Sequence, residues 1–232
     1  DRAWDFSAPA YSADGQQLAF LASHQQISNT QPHRLACMKL PSAASRTQRA
    51  SVWQTFSDKW DREPQAPLVW SDDGSALLCK AEDQGRQHVW RFDLASRKVS
   101  KVVQGGTVHA FDMAAGRLVS LSDTALHPGR IHVQGIDESG HAALPVVTRM
   151  ETFNDELLKG VALGSTEEHW FKGAKGEDVQ VWLHFPPGFK KDKKYPSARL
   201  YLAFERTLDS IAQKIDRGEI DPSAKVRLMK NA

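Results

Sequence analysis

The residues of this chain that could support catalysis or hold a metal are its nine histidines, two cysteines and many acidic side chains. No histidine stands in a His-x-x-x-His pair beside a carboxylate, the spacing that places two zinc ligands on one helix face. The sequence Gly-x-Ser-x-Gly, which forms the sharp turn that exposes a nucleophilic serine in many hydrolases, does not occur. The sequence therefore predicts no catalytic residue, no metal ligand and no cofactor-binding residue in this chain.

Two histidines and a lysine-rich segment are expected to be structural. His132 lies in the alternating sequence Ile-His-Val and His184 in Trp-Leu-His-Phe, so each is expected to occupy a β-strand. A group of four lysines is expected to form a solvated turn, because it lacks the interleaved aromatic residues that stack on nucleic-acid bases. These lysines are Lys190, Lys191, Lys193 and Lys194.

The two cysteines, Cys37 and Cys79, both lie in apolar segments that resemble strands. Buried free thiols that act as small hydrophobic side chains are the simplest expectation. A disulfide between them is an alternative if the two strands pack together. The cysteines therefore leave the redox compartment open.

Composition places the chain among ordinary globular proteins. It has 232 residues, of which 41% are hydrophobic and 25% charged, with 30 Lys and Arg against 28 Asp and Glu. A net charge of +2 does not argue for a nucleic-acid partner. No apolar run approaches the roughly 20 residues that span a bilayer, so no membrane partner is expected. The first residues contain no apolar segment, so no signal peptide is expected either.

Two hairpins with the same turn sequence indicate an internal repeat. The turn Ser12-Ala-Asp-Gly15 precedes the apolar run Leu18–Leu21, and Ser71-Asp-Asp-Gly74 precedes Ala76–Cys79. Aspartate bends its own backbone through a side-chain hydrogen bond, and glycine adopts the positive φ that the hairpin requires. Each turn is therefore expected to join two antiparallel strands.

The spacing of later strands extends this repeat over residues 1–150. Gly74 and Gly116 are 42 residues apart, as are Val89 and Ile131. The interval between Gly15 and Gly74, the glycines of the first two turns, is longer, which implies an insertion around residues 42–61. Four short strands in such an interval are typical of a β-propeller blade, although a β-sandwich is an alternative. The prediction is a mainly β fold with about three blades, a partial propeller, because propellers usually have at least four.

The pattern changes after residue 150. Residues 154–158 are expected to form a short linker or helical turn, followed by strands at His169–Lys172 and Val179–Phe185. Glycines separate the two strands, and Pro186-Pro-Gly188 ends the second. Residues 151–196 are therefore expected to be a linker and the beginning of a second domain.

A specific resemblance rests on this second segment. The sequence Phe171-Lys-Gly-Ala, followed by Gly-Glu-x-Val-Gln-x-Trp-Leu-His-x-Pro-Pro-Gly-Phe189 and by Lys-Lys-Tyr-Pro196, resembles the prolyl oligopeptidase family of serine peptidases. The blade turns and the segments Ser57–Pro64 and Val102–Thr107 are also similar, and residues 8–196 are covered. The match is closest to acylaminoacyl-peptidases and dipeptidyl-peptidases.

The resemblance implies a propeller that caps an α/β-hydrolase domain and filters peptide substrates by size. Relatives use a serine nucleophile in Gly-x-Ser-x-Gly, a later aspartate and histidine, and an early His-Gly-Gly segment, without metal or cofactor. This chain matches none of those motifs, and only 36 residues follow Pro196. It is therefore predicted to be a fragment of such a peptidase, inactive by itself; a non-catalytic propeller module that binds peptide or protein is the alternative. Bacterial relatives are cytoplasmic or periplasmic, which leaves the localisation open.

Short peptides are the partners that this resemblance implies, and one cluster is a hypothetical binding site. Glu63, Asp83, Glu82 and Arg62 are expected to face the propeller cavity, where a peptidase could bind the amino terminus of its substrate. Open blade edges also expose unpaired backbone groups, so self-association is expected.

Residues 197–232 depart from the family pattern and form an atypical tail. Four apolar residues with helical spacing predict one short helix that ends near Gly218; they are Leu208, Ile211, Ala212 and Ile215. Asp221-Pro222 is expected to cap a second short helix that continues to Asn231.

Overall fold

A computed structural model describes residues 3–26, 31–41, 52–193 and 225–228. The chain divides into two compact units, Asp1–Glu151 and Thr152–Ala232. Among the described residues, no helix is long and apolar enough to cross a membrane.

The first blade is a four-stranded antiparallel sheet whose strands follow one another in sequence order. The Ser12 hydroxyl donates to the Asp14 carboxylate over 2.6 Å, and the Gln16 amide donates to the same carboxylate oxygen, which closes the first turn. Gly15 has φ = +67°, as the turn requires. The strands are β1 (Trp4–Tyr11), β2 (Gln17–His24), β3 (Arg34–Lys39) and β4 (Gln54–Thr55).

The second and third blades are also antiparallel, and the residue pair Gln87–Thr107 joins them by a parallel pairing. Ser71, Asp73 and Gly74 repeat the turn of the first blade, with the Ser71 hydroxyl 2.7 Å from the Asp73 carboxylate. The strands of blade 2 are β5 (Gln65–Trp70), β6 (Ala76–Asp83), β7 (Arg86–Asp93) and β8 (Val99–Val103). Those of blade 3 are β9 (Thr107–Ala114), β10 (Arg117–Thr124), β11 (His127–Ile136) and β12 (Ala142–Arg149).

The blades stack face to face through two apolar interfaces. Between blades 1 and 2, Leu35 and Cys37 of the first sheet pack with Leu77 and Cys79 of the second. Between blades 2 and 3, the opposite face of blade 2 packs on blade 3; this cluster includes Leu78, Val89, Val108, Phe111 and Leu118. The prediction of a partial propeller with about three blades is confirmed.

The second unit begins with a short helix, α1 (Asp155–Leu158), and continues with the antiparallel strands β13 (Ser165–Lys172) and β14 (Asp178–Phe185). Phe171, Val181, Leu183 and Phe185 form its apolar core. The two strands occupy the predicted positions, although β13 begins four residues earlier than expected.

One prediction for the tail is wrong. Lys225–Leu228 is not part of a helix but forms β15, which pairs antiparallel with β14 through residues 181–184. The open edge of β14 supplies backbone donors and acceptors over the whole length of this segment. Its sequence alternates charged and apolar residues, the period of a strand. The helix predicted around residues 208–218 lies outside the described residues.

Candidate functional site

The interface between blades 1 and 2 changes from apolar to polar along β6. Because alternate residues of a strand share a face, Leu77, Cys79, Ala81 and Asp83 all project from the same side of the sheet. The first three are completely buried, and Asp83 retains only 8% exposure. The strand therefore places a carboxylate at the end of an apolar core.

Two cations neutralise this carboxylate. Arg62 donates from Nη2 to Asp83 Oδ1 over 2.8 Å, and Lys101 Nζ lies 2.6 Å from Asp83 Oδ2. Burial opposes ionisation of Asp83, but the hydrogen bonds and charges of Lys101 and Arg62 outweigh it and lower the pKa of the carboxyl. Asp83 is therefore an ionised, already paired group.

Aromatic rings form one side of this cluster. Lys101 Nζ lies 5.0 Å from the centre of the Trp90 ring, within the range of a cation–π contact. Trp60 meets Trp90 edge to face with the ring centres 5.4 Å apart. The side chains of Arg62 and Lys101 remain about one third and one quarter exposed, at 33% and 27%. Solvent therefore reaches two cations beside an aromatic surface.

His88 lies on the same face of β7 as Trp90, and it is buried. We call this group the blade 2 cluster; its members are Trp60, Arg62, Asp83, His88, Trp90 and Lys101. Burial and the charge of Lys101 lower the pKa of His88 to about 4, although Asp83 opposes this shift. Its Nδ1 atom is buried and has no hydrogen-bond partner among the described residues. His88 is therefore neutral near pH 7.

The four residues of the hypothetical peptide site have different positions. Arg62 and Asp83 form an ion pair, whereas Glu63 Oε1 lies 2.5 Å from His33 Nδ1 and keeps 50% of its side chain exposed. Glu82 is exposed and lies on the opposite face of β6 from Asp83, because the two are consecutive residues of the strand. Glu63 is therefore a half-exposed carboxylate that is paired with His33.

The chain has relatives among curated peptidases. No family model matches it. The probable dipeptidyl-peptidase 5 of Aspergillus clavatus is 28% identical over 201 residues, which are 84% of this chain and 26% of that protein. The dipeptidyl-peptidase 5 of Aspergillus fumigatus is 26% identical over 197 residues, 83% of this chain and 25% of that protein.

Solved structures of acylaminoacyl peptidases share the fold. The Pyrococcus horikoshii enzyme superposes with a TM-score of 0.55 at 14% identity, covering 79% of this chain and 25% of that one. An acylaminoacyl peptidase in complex with Z-Gly-Gly-Phe-chloromethyl ketone gives 0.57 at 15% identity with the same coverages. The resemblance to the prolyl oligopeptidase family is confirmed. The chain spans about a quarter of the length of the curated relatives that it matches.

Two hydroxyl–imidazole contacts occur among the described residues, one in each unit of the chain. Ser122 Oγ is 3.4 Å from His132 Nδ1, and Thr166 Oγ1 is 2.9 Å from His184 Nδ1. Both pairs join neighbouring strands, so the prediction that His132 and His184 are strand residues is confirmed. Neither histidine has a second described hydrogen bond to a carboxylate, so these pairs do not form the serine–histidine–carboxylate arrangement of the prolyl oligopeptidase family.

Other predicted residues have the environments that were expected of them. Cys37 and Cys79 are both buried and free, as predicted, and burial raises the pKa of Cys79 to about 12, which makes it unreactive. Lys190, Lys191 and Lys193 lie beside or within a turn after β14, and Lys194 lies outside the described residues. Within the described ranges, no group of three or more His, Cys, Asp or Glu residues could hold a metal ion.

Sequence reasoning missed Lys101, His88 and Trp60 as members of the blade 2 cluster. The strands that carry His88 and Lys101 were predicted, but the register that places Lys101 opposite Trp90 was not. A useful signal was present in the sequence, since Trp90 and His88 alternate with Val89 and must share one face of β7.

Proposed function

We propose that this chain supplies propeller blades and the first strands of the hydrolase domain to a peptide hydrolase of the prolyl oligopeptidase family. The observation that carries the proposal is the similarity to dipeptidyl-peptidase 5 over 84% of the chain, together with blades followed by β13 and β14. By itself the chain binds short peptides without hydrolysing them, because it contains no Gly-x-Ser-x-Gly nucleophile.

The blade 2 cluster supports a role for Glu63 in binding the free amino terminus of the peptide. Asp83 is already paired with both Arg62 and Lys101, so it has little capacity for a third cation. Glu63 is half exposed, and an ammonium group that displaced His33 would gain a charge-assisted hydrogen bond. Trp60 and Trp90, which meet edge to face beside Lys101, provide an apolar surface for a peptide side chain.

Isothermal titration calorimetry tests this binding mode. We expect the purified chain to bind Gly-Gly-Phe with a free amino terminus at least ~10-fold more tightly than N-acetyl-Gly-Gly-Phe, a difference of about 1.4 kcal/mol. Glu63→Gln removes the preference, whereas Glu82→Gln, which changes an exposed carboxylate on the other face of β6, preserves it. Equal affinities for the two peptides, or an unchanged preference in Glu63→Gln, would contradict the role of Glu63.

The absence of hydrolysis is tested separately with chromogenic dipeptide anilides. The purified chain is expected to release no chromophore above the uncatalysed rate. Release that a serine-directed inhibitor abolishes would show that the chain carries a nucleophile that its sequence does not indicate. Because this assay measures turnover and calorimetry measures affinity, either part of the proposal can fail without the other.

A further inference from the structure

His33 and Glu63 meet from two segments that are 30 residues apart in the chain. His33 directly precedes β3, and Glu63 lies two residues before β5. Nδ1 of His33 is 2.5 Å from Oε1 of Glu63, and the two side chains are 42% and 50% exposed. Because an ionised carboxylate only accepts hydrogen bonds, His33 donates from Nδ1 and occupies one oxygen of the carboxylate.

The two segments are fixed to each other by contacts that do not involve this pair. Arg34 donates from Nη1 to the backbone oxygens of Ser57 and Trp60, each over 3.2 Å. The amide of Leu35 donates to the Ser57 hydroxyl over 2.9 Å, and Ser57 is almost completely buried. The backbone therefore places the pair independently of its own attraction, and a change of the His33 side chain leaves these contacts intact.

Other charged side chains lie on the same two segments or join their ion pairs. Arg62 pairs with both Asp61 and Asp83, and Lys101 also pairs with Asp83. The whole set is Arg34 beside β3, Asp58, Lys59, Asp61 and Arg62 before β5, Asp83 on β6 and Lys101 on β8. Glu63 is the carboxylate of these segments that contacts His33, so a charge on this imidazole acts on Glu63 directly.

We infer that His33 is a positioning residue that makes the amino-terminus site at Glu63 sensitive to pH. This inference rests on the proposed function, in which Glu63 binds the ammonium group of a peptide. Histidine ordinarily changes its charge between about pH 5 and pH 8. A protonated imidazole holds a carboxylate through a charge-assisted hydrogen bond, which is roughly twice as strong as a neutral one. A peptide therefore displaces the protonated form of His33 less readily than the neutral form.

This displacement also moves a proton. A neighbouring carboxylate favours the protonated form of an imidazole. When the peptide ammonium takes the place of His33, the imidazole loses this partner and releases its proton to the solvent. Near pH 6 the peptide arrives with its amino terminus already protonated, because α-amino groups titrate at about 7.7–8.0. Peptide binding in this range is therefore coupled to net proton release.

Isothermal titration calorimetry with Gly-Gly-Phe, at about pH 5.5 and near pH 7, tests the inference on the full chain. We expect the wild type to bind at least ~5-fold more weakly at the lower pH. His33→Gln keeps a neutral donor beside Glu63 and is expected to lose this pH dependence. His33→Lys places a permanent cation there and is expected to bind weakly at both pH values. The control His141→Gln changes another exposed histidine that pairs with an aspartate, and it is expected to behave like the wild type.

The same titrations in buffers of different ionisation enthalpy give the number of protons released on binding. At about pH 6 the wild type is expected to release a fraction of a proton for each peptide bound, whereas His33→Gln releases none. A histidine that only supported the local structure would change the affinity without changing this number.

The outcomes distinguish this inference from the proposed function. A preference for the free amino terminus over N-acetyl-Gly-Gly-Phe that is equal at both pH values, or proton release that persists in His33→Gln, overturns the role of His33 and leaves the role of Glu63 intact. Binding of neither peptide, or of both equally near pH 7, overturns the proposed binding mode and this inference with it. An affinity that falls with the pH in the wild type but not in His33→Gln supports both.

Discussion

The two faces of blade 1 are both apolar, but their environments differ. The inner face carries Ala19, Leu21, Leu35 and Cys37, which are almost completely buried against blade 2. The outer face, which is the opposite side of the same sheet, is dominated by aromatic rings around a groove, and Phe6 is 46% exposed. Consecutive residues of a strand point to opposite sides of the sheet, and the strands of blade 1 have consecutive apolar residues, so both sides are apolar. The side against which a neighbouring sheet packs becomes core.

The largest effect is expected when the inner interface is broken. Leu77→Ala removes a completely buried side chain from the cluster between blades 1 and 2 and leaves a cavity there. We expect the free energy of unfolding to fall by about 3 kcal/mol, measured by urea denaturation with tryptophan fluorescence.

Leu157→Ala is the matched control, since this leucine is 76% exposed and its truncation should change stability by less than about 0.5 kcal/mol. If the two variants have similar effects, the interface between blades 1 and 2 does not contribute to stability as the contacts indicate.

A smaller effect is expected at the polar end of the same interface. The pKa of His88 is about 4 in the fold, against an ordinary value of 6.5. Between these pH values the unfolded chain binds a proton that the folded chain does not, so stability is lost as the pH falls from 6.5 to 4.

His88→Gln should remove this contribution. The free energy of unfolding that is lost between pH 7 and pH 4.5 should then be smaller in the variant than in the wild type, by on the order of 2 kcal/mol. The measurement is urea denaturation at both pH values, and His141→Gln, at an exposed histidine, serves as the control. An unchanged pH dependence in His88→Gln would show that His88 does not lose its proton on folding.

The smallest effect on stability is expected on the outer face. Phe6→Ser removes a ring that is already 46% exposed, so we expect the free energy of unfolding to fall by only about 1 kcal/mol. Urea denaturation in dilute solution measures this change. A loss as large as that of Leu77→Ala would mean that the outer face is packed as tightly as the inner one, which would remove the contrast between them.

Much of the fold could be predicted because its signals are local. Ser12, Asp14 and Gly15 form their turn through contacts within six residues, and Ser71, Asp73 and Gly74 repeat it. Strand positions in blades 2 and 3 followed from the same alternation and turn chemistry. The short β4 was not located, because its two residues lie in the irregular first blade, where the expected repeat is lengthened.

The candidate site was only partly predictable. Arg62 and Asp83 were expected to face the propeller cavity; their ion pair and the second cation on Asp83 were not anticipated. Lys101 reaches this carboxylate because β8 pairs with β7 and β7 with β6, a relation that depends on strand register. The tail prediction failed for a similar reason, since β15 is defined by backbone pairing with β14 and not by its own helix signals.

The sequence by itself therefore determined the turns, most of the strands and the resemblance to a peptidase family, because each depends on residues that are close together in the chain. Only the tertiary structure decided that Asp83 is held by two cations, that His88 is buried and neutral, and that Leu18 and Val119 lie on exposed faces while Leu77 and Leu78 are core. These properties depend on which sheet lies against which face, and that contact joins residues tens of positions apart.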